Sequence, residues 1–311
     1  MNLPKYLNEK VNLVFSELKK NQLKNTQKIL TDKYKNHTGN SKDLIAGKDE
    51  SILYAVSRMP ATYSVNYTLI LDLINQGLLS NVKSVIDVGS GTGTVFFALK
   101  EIFPEIEISL YEKNQNMIDV FEKLSDKSVS VNKIDLIKEN VQVNAELVTA
   151  SYVLSELTEN DRQKVFNNLL SVSSNYVLII DTGTPDTYKN MMKLKDIAKK
   201  QGYSVIAPCQ LDKCPLSGDY CQFYARVERS AVLRQAKSAE LSYEDEKYFY
   251  LLFSKNPKIC NGKRIIRRPK IKENEVELML CSSIGVETVK ITKKNKDLFK
   301  KSKKSKINHL L

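Results

Sequence analysis

The sequence predicts an α/β fold: a doubly wound parallel sheet, preceded by a helical cap and followed by a cysteine-containing, β-rich module. Three observations predict it. The β-branched run Ser84-Val85-Ile86-Asp87-Val88 ends in Gly89-Ser90-Gly91-Thr92-Gly93-Thr94 and passes into the apolar segment Val95–Leu99, which reads as strand, glycine turn and helix start. Apolar runs then recur at the spacing of strand–helix–strand units: Ile106–Tyr111, a third before Asp135, Asn144–Val153 and Val177–Ile180. Finally, the alternation stops at Pro208, and Cys209, Cys214 and Cys221 follow within thirteen residues.

Residues 1–80 read as the helical cap. Leu3, Tyr6, Leu7, Val11, Val14, Phe15 and Leu18 recur at helical spacing and make one apolar face. Residues 36–49 are polar and read as a loop. Ser51–Arg58 reads as a short helix broken by Pro60. A further helix carries Leu69, Leu71, Leu73 and Ile74 and stops at Gly77. Such a cap either only covers the sheet or also shapes the substrate side of a cleft at the strand ends.

Residues 81–205 form the sheet domain. Glycines let the backbone turn sharply and approach a ligand that a Cβ would exclude. The helix start behind them offers free N–H groups and the positive end of a dipole. A dinucleotide fingerprint is spaced G-x-G-x-x-G; here the spacing is Gly89-x-Gly91-x-Gly93, preceded by Asp87. That pattern resembles the first motif of class I S-adenosylmethionine-dependent methyltransferases, which are Rossmann-like. S-adenosylmethionine is therefore the expected cofactor, ahead of another nucleotide or an empty site. Its expected contacts are Asp87, Gly89, Ser90, Gly91 and Gly93, then Glu112 for the ribose hydroxyls, Asp135 near the adenine, and Ser151. The fourth strand runs into Leu154-Ser155-Glu156-Leu157 and the fifth ends in Asp181. Glu156 and Asp181 are the polar groups expected nearest a methyl acceptor. Tyr188–Gln201 reads as a Lys-rich helix ended by Gly202, and Tyr203–Ala207 as another strand.

Residues 206–292 form the cysteine cluster module with a small β unit. Thiolates spaced like Cys209, Cys214 and Cys221 can converge on one metal centre, because the Pro- and Gly-containing loops between them fold back. The usual C-x₂-C knuckle is absent and His37 and His309 are remote. A four-thiolate site needs a fourth ligand from Cys260 or Cys281, and such a site suits zinc or a [4Fe–4S] cluster. The alternative is that these are small core residues. Arg226, Arg229, Arg234 and Lys237 precede Tyr243-Glu244-Asp245-Glu246-Lys247-Tyr248. This pattern reads either as phosphate contacts with stacking or as an amphipathic helix with a solvated basic face. Lys263–Arg268, Glu275–Cys281 and Glu287–Thr292 read as strands, with Gly285 turning the last pair.

Residues 293–311 read as a basic tail. Its density of like charge predicts a segment frayed until it meets a polyanion, or a solubilising extension. The chain's net charge of +12, concentrated toward this end, points to nucleic acid as partner. Part of the excess is a general richness in lysine. The 311 residues, 42% hydrophobic, suffice for a real core. No run approaches the roughly 18 apolar residues of a membrane span. The first twenty residues lack both an apolar signal core and arginine. A cytoplasmic bacterial protein is expected, or a mitochondrial one if the chain is organellar. Five cysteines, all in the last third, argue against a disulfide framework. A monomer is expected.

The chain as a whole resembles the methyltransferase-like proteins of the small ribosomal subunit, found in bacteria and mitochondria. The residues that carry the resemblance are Arg58-Met59-Pro60-Ala61-Thr62-Tyr63, the Asp87–Gly93 loop, Ala150–Leu157 and Gly183-Thr184-Pro185. Further on they are Pro208-Cys209, Cys214-Pro215-Leu216, Cys221-x-Phe223, Arg229-Ser230, Tyr243–Lys247 and Glu277–Cys281. The resemblance implies a [4Fe–4S] cluster on Cys209, Cys214, Cys221 and Cys281, with Cys260 free. It also implies action in assembly or translation of the small subunit, bound to its rRNA. The competing reading is an active rRNA methyltransferase. The chain has Ala150-Ser151-Tyr152-Val153 where an N6-adenine enzyme would carry D/N-P-P-Y/F. A small-molecule methyltransferase is disfavoured by the basic tail and the cysteine module.

Overall fold

The computed structural model describes residues 2–18, 23–36, 40, 44–79, 81–127, 129–209, 211, 213–216, 218–229, 234, 240–257 and 262–311. Four helices come first: α1 (Lys5–Phe15), α2 (Leu23–Asn36), α3 (Lys48–Ser57) and α4 (Met59–Asn75). α1 buries Leu7, Val11 and Val14, the stripe that the sequence spacing marks. The helix before Pro60 ends at Ser57, with Arg58 as its cap, as the sequence reading expects, and a new helix starts at Met59. Pro60 sits in the first turn of α4, where its missing N–H costs nothing.

The sheet domain alternates strand and helix: β1 (Ser84–Val88), α5 (Thr94–Ile102), β2 (Glu107–Glu112), α6 (Gln115–Leu124), β3 (Val131–Lys133) and β4 (Ala145–Ser151). A single-turn helix (Leu154–Glu156), α7 (Glu159–Val172), β5 (Ser173–Thr182), α8 (Pro185–Lys200) and β6 (Ser204–Ala207) follow. The caps are built in. Asn114 accepts N–H groups at the start of α6, and Thr158 and Thr184 do so for α7 and α8.

Two further strands complete this sheet, β7 (Phe223–Glu228) and β8 (Tyr243–Ser254). The strand order is β3-β2-β1-β4-β5-β8-β6, with β7 also paired to β8. β3, β2, β1, β4 and β5 run parallel, and β8 inserts antiparallel between β5 and β6. The sheet therefore does not close at residue 205. β8 carries Tyr248-Phe249-Tyr250-Leu251-Leu252-Phe253, every one of them at 0–1% exposure, and such a run is stable only in the middle of a sheet. Of the two readings of residues 222–250, the amphipathic helix is replaced by these two strands. Arg226 pairs with Asp245, Arg229 with Glu244 and Arg268 with Asp245. Arg226 lies over the Tyr243 ring and Arg268 over the Tyr224 ring. The Arg–Tyr interleaving thus makes contacts within the sheet. Lys237 lies outside the described residues.

A second, four-stranded sheet follows: β9 (Arg264–Ile265), β10 (Lys270–Ile271), β11 (Glu275–Ser282) and β12 (Gly285–Thr292), with β11 central. The last segment is ordered, contrary to the expectation of a frayed tail. It forms α9 (Lys296–Lys304), which packs Phe299 onto Ile265, Val276, Leu278 and Leu280. Ser302 and Phe299 share the inner face while the lysines point outward. One apolar face is enough to anchor a helix whose other face is all charge.

Candidate functional site

The crevice at the C-terminal ends of β1, β2 and β4 is where ligands bind in sheets of this kind, because the chain leaves β1 and β4 in opposite directions. A cleft of about 1030 Å³, its mouth included, opens there. The loop after β1 forms its floor. Gly89 has φ +62, and a Cβ there would lie 2.4 Å from a Val153 methyl. Gly89, Ser90, Gly91 and Thr92 line the cleft. Gly93 does not. It starts α5 at φ +82 and lies against Phe121, 2.4 Å from where a Cβ would stand, so its role is close helix packing.

Glu112 ends β2 and lines the same cleft. Its carboxylate accepts N–H groups from Gly91 at 2.9 Å and from Lys113 and Asn114 at 2.8 Å. Burial raises its pKa, and these backbone donors offset part of the rise. Asp87 lies beneath the loop at 0% exposure and accepts the Thr149 hydroxyl at 2.7 Å. Burial pushes it up to about 7, with the nearby Glu112 charge adding to the effect and the Thr149 bond opposing it. Asp135 lines the cleft and accepts the Ile137 N–H at 3.1 Å. Ser151 hydrogen-bonds Asn66 Oδ1 at 2.8 Å, and Asn66 in turn donates to Thr94 Oγ1 at 3.0 Å. A buried asparagine of α4 thus joins the ends of β4 and α5. The cap therefore shapes the cleft, and Tyr54 and Thr62 line it.

Of the two acceptor-side candidates, Glu156 lines the cleft. Asp181 is not among the lining residues. It is fully buried and accepts the Ser155 N–H at 2.9 Å, the Ser155 hydroxyl at 2.7 Å and the Thr182 N–H at 2.8 Å. Its carboxylate secures the turn that carries Glu156. Tyr152, which sequence reasoning did not single out, adopts φ +59 at the end of β4 and lines the cleft. A tyrosine in the left-handed region is strained, and strain of this kind gathers at functional sites. The buried hydroxyls of Ser90, Thr92 and Tyr152 have no hydrogen-bond partner among the described residues. Arg58 and Glu246 form a bidentate pair, 2.9 and 3.3 Å, that joins α4's start to β8.

A second cavity, about 360 Å³ with its rim, is lined by Cys209, Cys214, Cys221 and Cys281 together with Pro208, Leu216 and Ile266. The fold thus brings the three cysteines of the loop to the one on β11. Burial pushes the Cys209 thiol up to about 11 and raises Cys221 and Cys281, with neighbouring thiols adding to it. No group of three His, Cys, Asp or Glu side chains stands close enough to hold a metal ion among the described residues. Cys260 lies outside them. No helix among the described residues is long and apolar enough to cross a membrane.

Among solved structures, the chain is similar to a candidate RNA methyltransferase from Pyrococcus horikoshii, at 17% identity over 64% of this chain and 81% of that one, with a TM-score of 0.38. It is also similar to magnesium protoporphyrin IX methyltransferase from Synechocystis PCC 6803, at 11% identity over 62% and 83%, with a TM-score of 0.42. No curated protein resembles the chain closely enough to match it. The family described as mitochondrial small ribosomal subunit Rsm22 matches residues 48–309. That span takes in the glycine loop, Glu112, both sheets and the four thiols, and the chain belongs to the Rsm22 family.

Proposed function

We propose that this chain is a methyltransferase-like protein that binds S-adenosylmethionine, carries an iron–sulfur cluster and joins the small ribosomal subunit through its rRNA, in assembly or translation. The observation that carries this reading is the cleft. Gly89, Gly91 and Glu112 meet there beside three buried hydroxyls without partners among the described residues. A buried polar group left unpaired costs about 1–3 kcal/mol, and an adenosine, rich in hydroxyl and ring-nitrogen groups, relieves that cost. Glu112 would take the ribose, Asp135 the adenine side, and the glycine loop the remainder. S-adenosylmethionine would supply the methyl group.

The family's name ties its members to the mitochondrial small ribosomal subunit. The four thiols around one cavity support a [4Fe–4S] cluster on Cys209, Cys214, Cys221 and Cys281, with zinc as the alternative, since an all-sulfur donor set suits either. Such a centre would fasten the cysteine loop to β11. A second reading, catalysis on rRNA, is favoured by the strained Tyr152 beside Glu156 in the cleft.

The exposed lysines of α9, among them Lys300, Lys301 and Lys304, would meet phosphates. The test is co-sedimentation with small subunits over a salt series, comparing the wild type with a K300Q/K301Q/K304Q variant. Substitution serves better than deletion because residues 307 and 308 are buried. The log–log salt slope should become shallower by about 0.7–0.9 for each phosphate that the variant no longer neutralises. An unchanged affinity and slope would remove this face from the interface.

A further inference from the structure

Arg264 heads the largest wholly buried side chains, at 0% exposure. Its Nε donates to the Pro208 carbonyl at 3.1 Å. Its Nη1 donates to Gln76 Oε1 at 2.8 Å and to Asn308 O and Oδ1 at 3.0 and 2.9 Å. Its Nη2 has no partner, and no carboxylate lies at ion-pair distance, among the described residues. Asp72 is linked to it through Asn308, whose amide donates to Asp72 Oδ2 at 3.5 Å. A buried guanidinium held only by neutral acceptors is costly unless a negative charge lies nearby.

Asp72 supplies one such charge from the Asn308 side, and the opposite side of the guanidinium faces the thiol cavity. Pro208 lines the thiol cavity and directly precedes Cys209. The backbone of Arg264 itself pairs with Cys281 across β9 and β11. Arg264 therefore stands between the two cysteines that are farthest apart in sequence. Residues 308–311 are laid back along 263–265, with Asn308 N–H to Ile265 O at 2.8 Å and Leu311 N–H to Lys263 O at 2.9 Å. That pairing holds Asn308 against the guanidinium.

We propose that Arg264 is the counter-cation of the thiol cavity: it favours an anionic, thiolate-ligated metal centre there and holds Pro208–Cys209 and Cys281 in place around it. The proposal rests on reading the four cysteines as ligands. Four thiolates on a [4Fe–4S]²⁺ core or on Zn²⁺ leave a net charge of about −2, and a buried cation offsets the desolvation of a buried anion. Arg264 is a positioning residue and takes no part in chemistry.

The test compares wild type, R264M and R264K, purified without oxygen, by metal and sulfide content, rate of metal loss to a chelator, and midpoint reduction potential where iron is present. Circular dichroism checks the fold. A folded R264M should lose its metal roughly 10–100-fold faster, as loss of a group supporting metal ligands does. An iron centre in R264M should shift to lower potential, because the reduced, more negative form loses more from removal of the cation. R264K should restore both. A folded R264M that matches wild type in both overturns the role of Arg264 and leaves the cluster reading standing. Wild-type protein without iron or zinc overturns the cluster reading itself. If R264M does not fold, R264K decides: the charge is kept, so a wild-type potential supports the proposal and a lowered one overturns it.

Discussion

The carboxylate of Glu112 accepts the Gly91 N–H at 2.9 Å, fastening the end of β2 to the loop that leaves β1. Two more backbone N–H groups, from Lys113 and Asn114, share the same carboxylate. A single acid thus orders the loop that the ligand is to lie on. Glu112→Ala should weaken S-adenosylmethionine binding by roughly 10–100-fold, the equivalent of about 1.5–3 kcal/mol for hydrogen bonds to a charged group. Glu112→Gln, which keeps one acceptor oxygen, should fall between. Calorimetric titration checks the order, and an Ala variant that binds as wild type does would remove Glu112 from the site.

Two glycines of one loop should respond differently to the same change. A Cβ on Gly93 would stand 2.4 Å from the Phe121 ring. Gly93→Ala should therefore destabilise the fold by about 2–3 kcal/mol or more, from overpacking and a left-handed backbone together. At Gly91 the nearest atom is the flexible Met117 Cε at 3.3 Å, so Gly91→Ala should cost about 1–2 kcal/mol. Urea unfolding of the two variants measures the difference, and equal losses would contradict it.

Asp87 predicts a pH dependence. Its pKa rises from 3.8 to about 7, chiefly through burial. Between these values the folded chain holds a proton that the unfolded chain has released. Stability from this group is then full below about pH 4 and is lost as pH rises toward 7. Asp87→Asn stays neutral and can still accept the Thr149 hydroxyl. Between pH 4 and pH 8 its stability relative to wild type should increase by about 2–4 kcal/mol, since a tenfold change in proton affinity is worth about 1.4 kcal/mol. Parallel pH profiles would show that Asp87 does not titrate this way.

The four thiols that share a cavity should be distinguishable from the fifth. Cys281→Ser is expected to purify without its metal centre, whereas Cys260→Ser keeps it. Iron, zinc and sulfide counts on the two variants check this. The reverse pattern would move the fourth ligand to Cys260.

Much of this architecture is legible in the sequence, for identifiable reasons. The Asp87–Gly93 loop and Glu112 are local signals: glycines where φ is positive, and an acid at a strand end. The apolar face of α1 shows its period directly. Long-range pairings are harder to see. Arg226 and Arg229 look like a basic face until Asp245 and Glu244 are found opposite them on β8. The six-residue run Tyr248–Phe253 is the strand signal in that region, and the flanking charges mask it. In α9, Phe299 and Ser302 mark one buried face among the lysines, too short a stripe to outweigh the charge. Arg264 and Asn66 become meaningful only through partners far away in sequence, Pro208 and Asn308 for one, Ser151 and Thr94 for the other.

The cleft between the glycine loop and Glu112 is the S-adenosylmethionine site proposed for this chain. Its most direct test is a calorimetric titration of S-adenosylmethionine into the wild-type chain and into Gly91→Val, with melting curves to show that both are folded. Saturable one-to-one binding by wild type, abolished in the folded variant, is the predicted result. Binding unimpaired by valine at position 91, or no binding by the wild type, would contradict the claim.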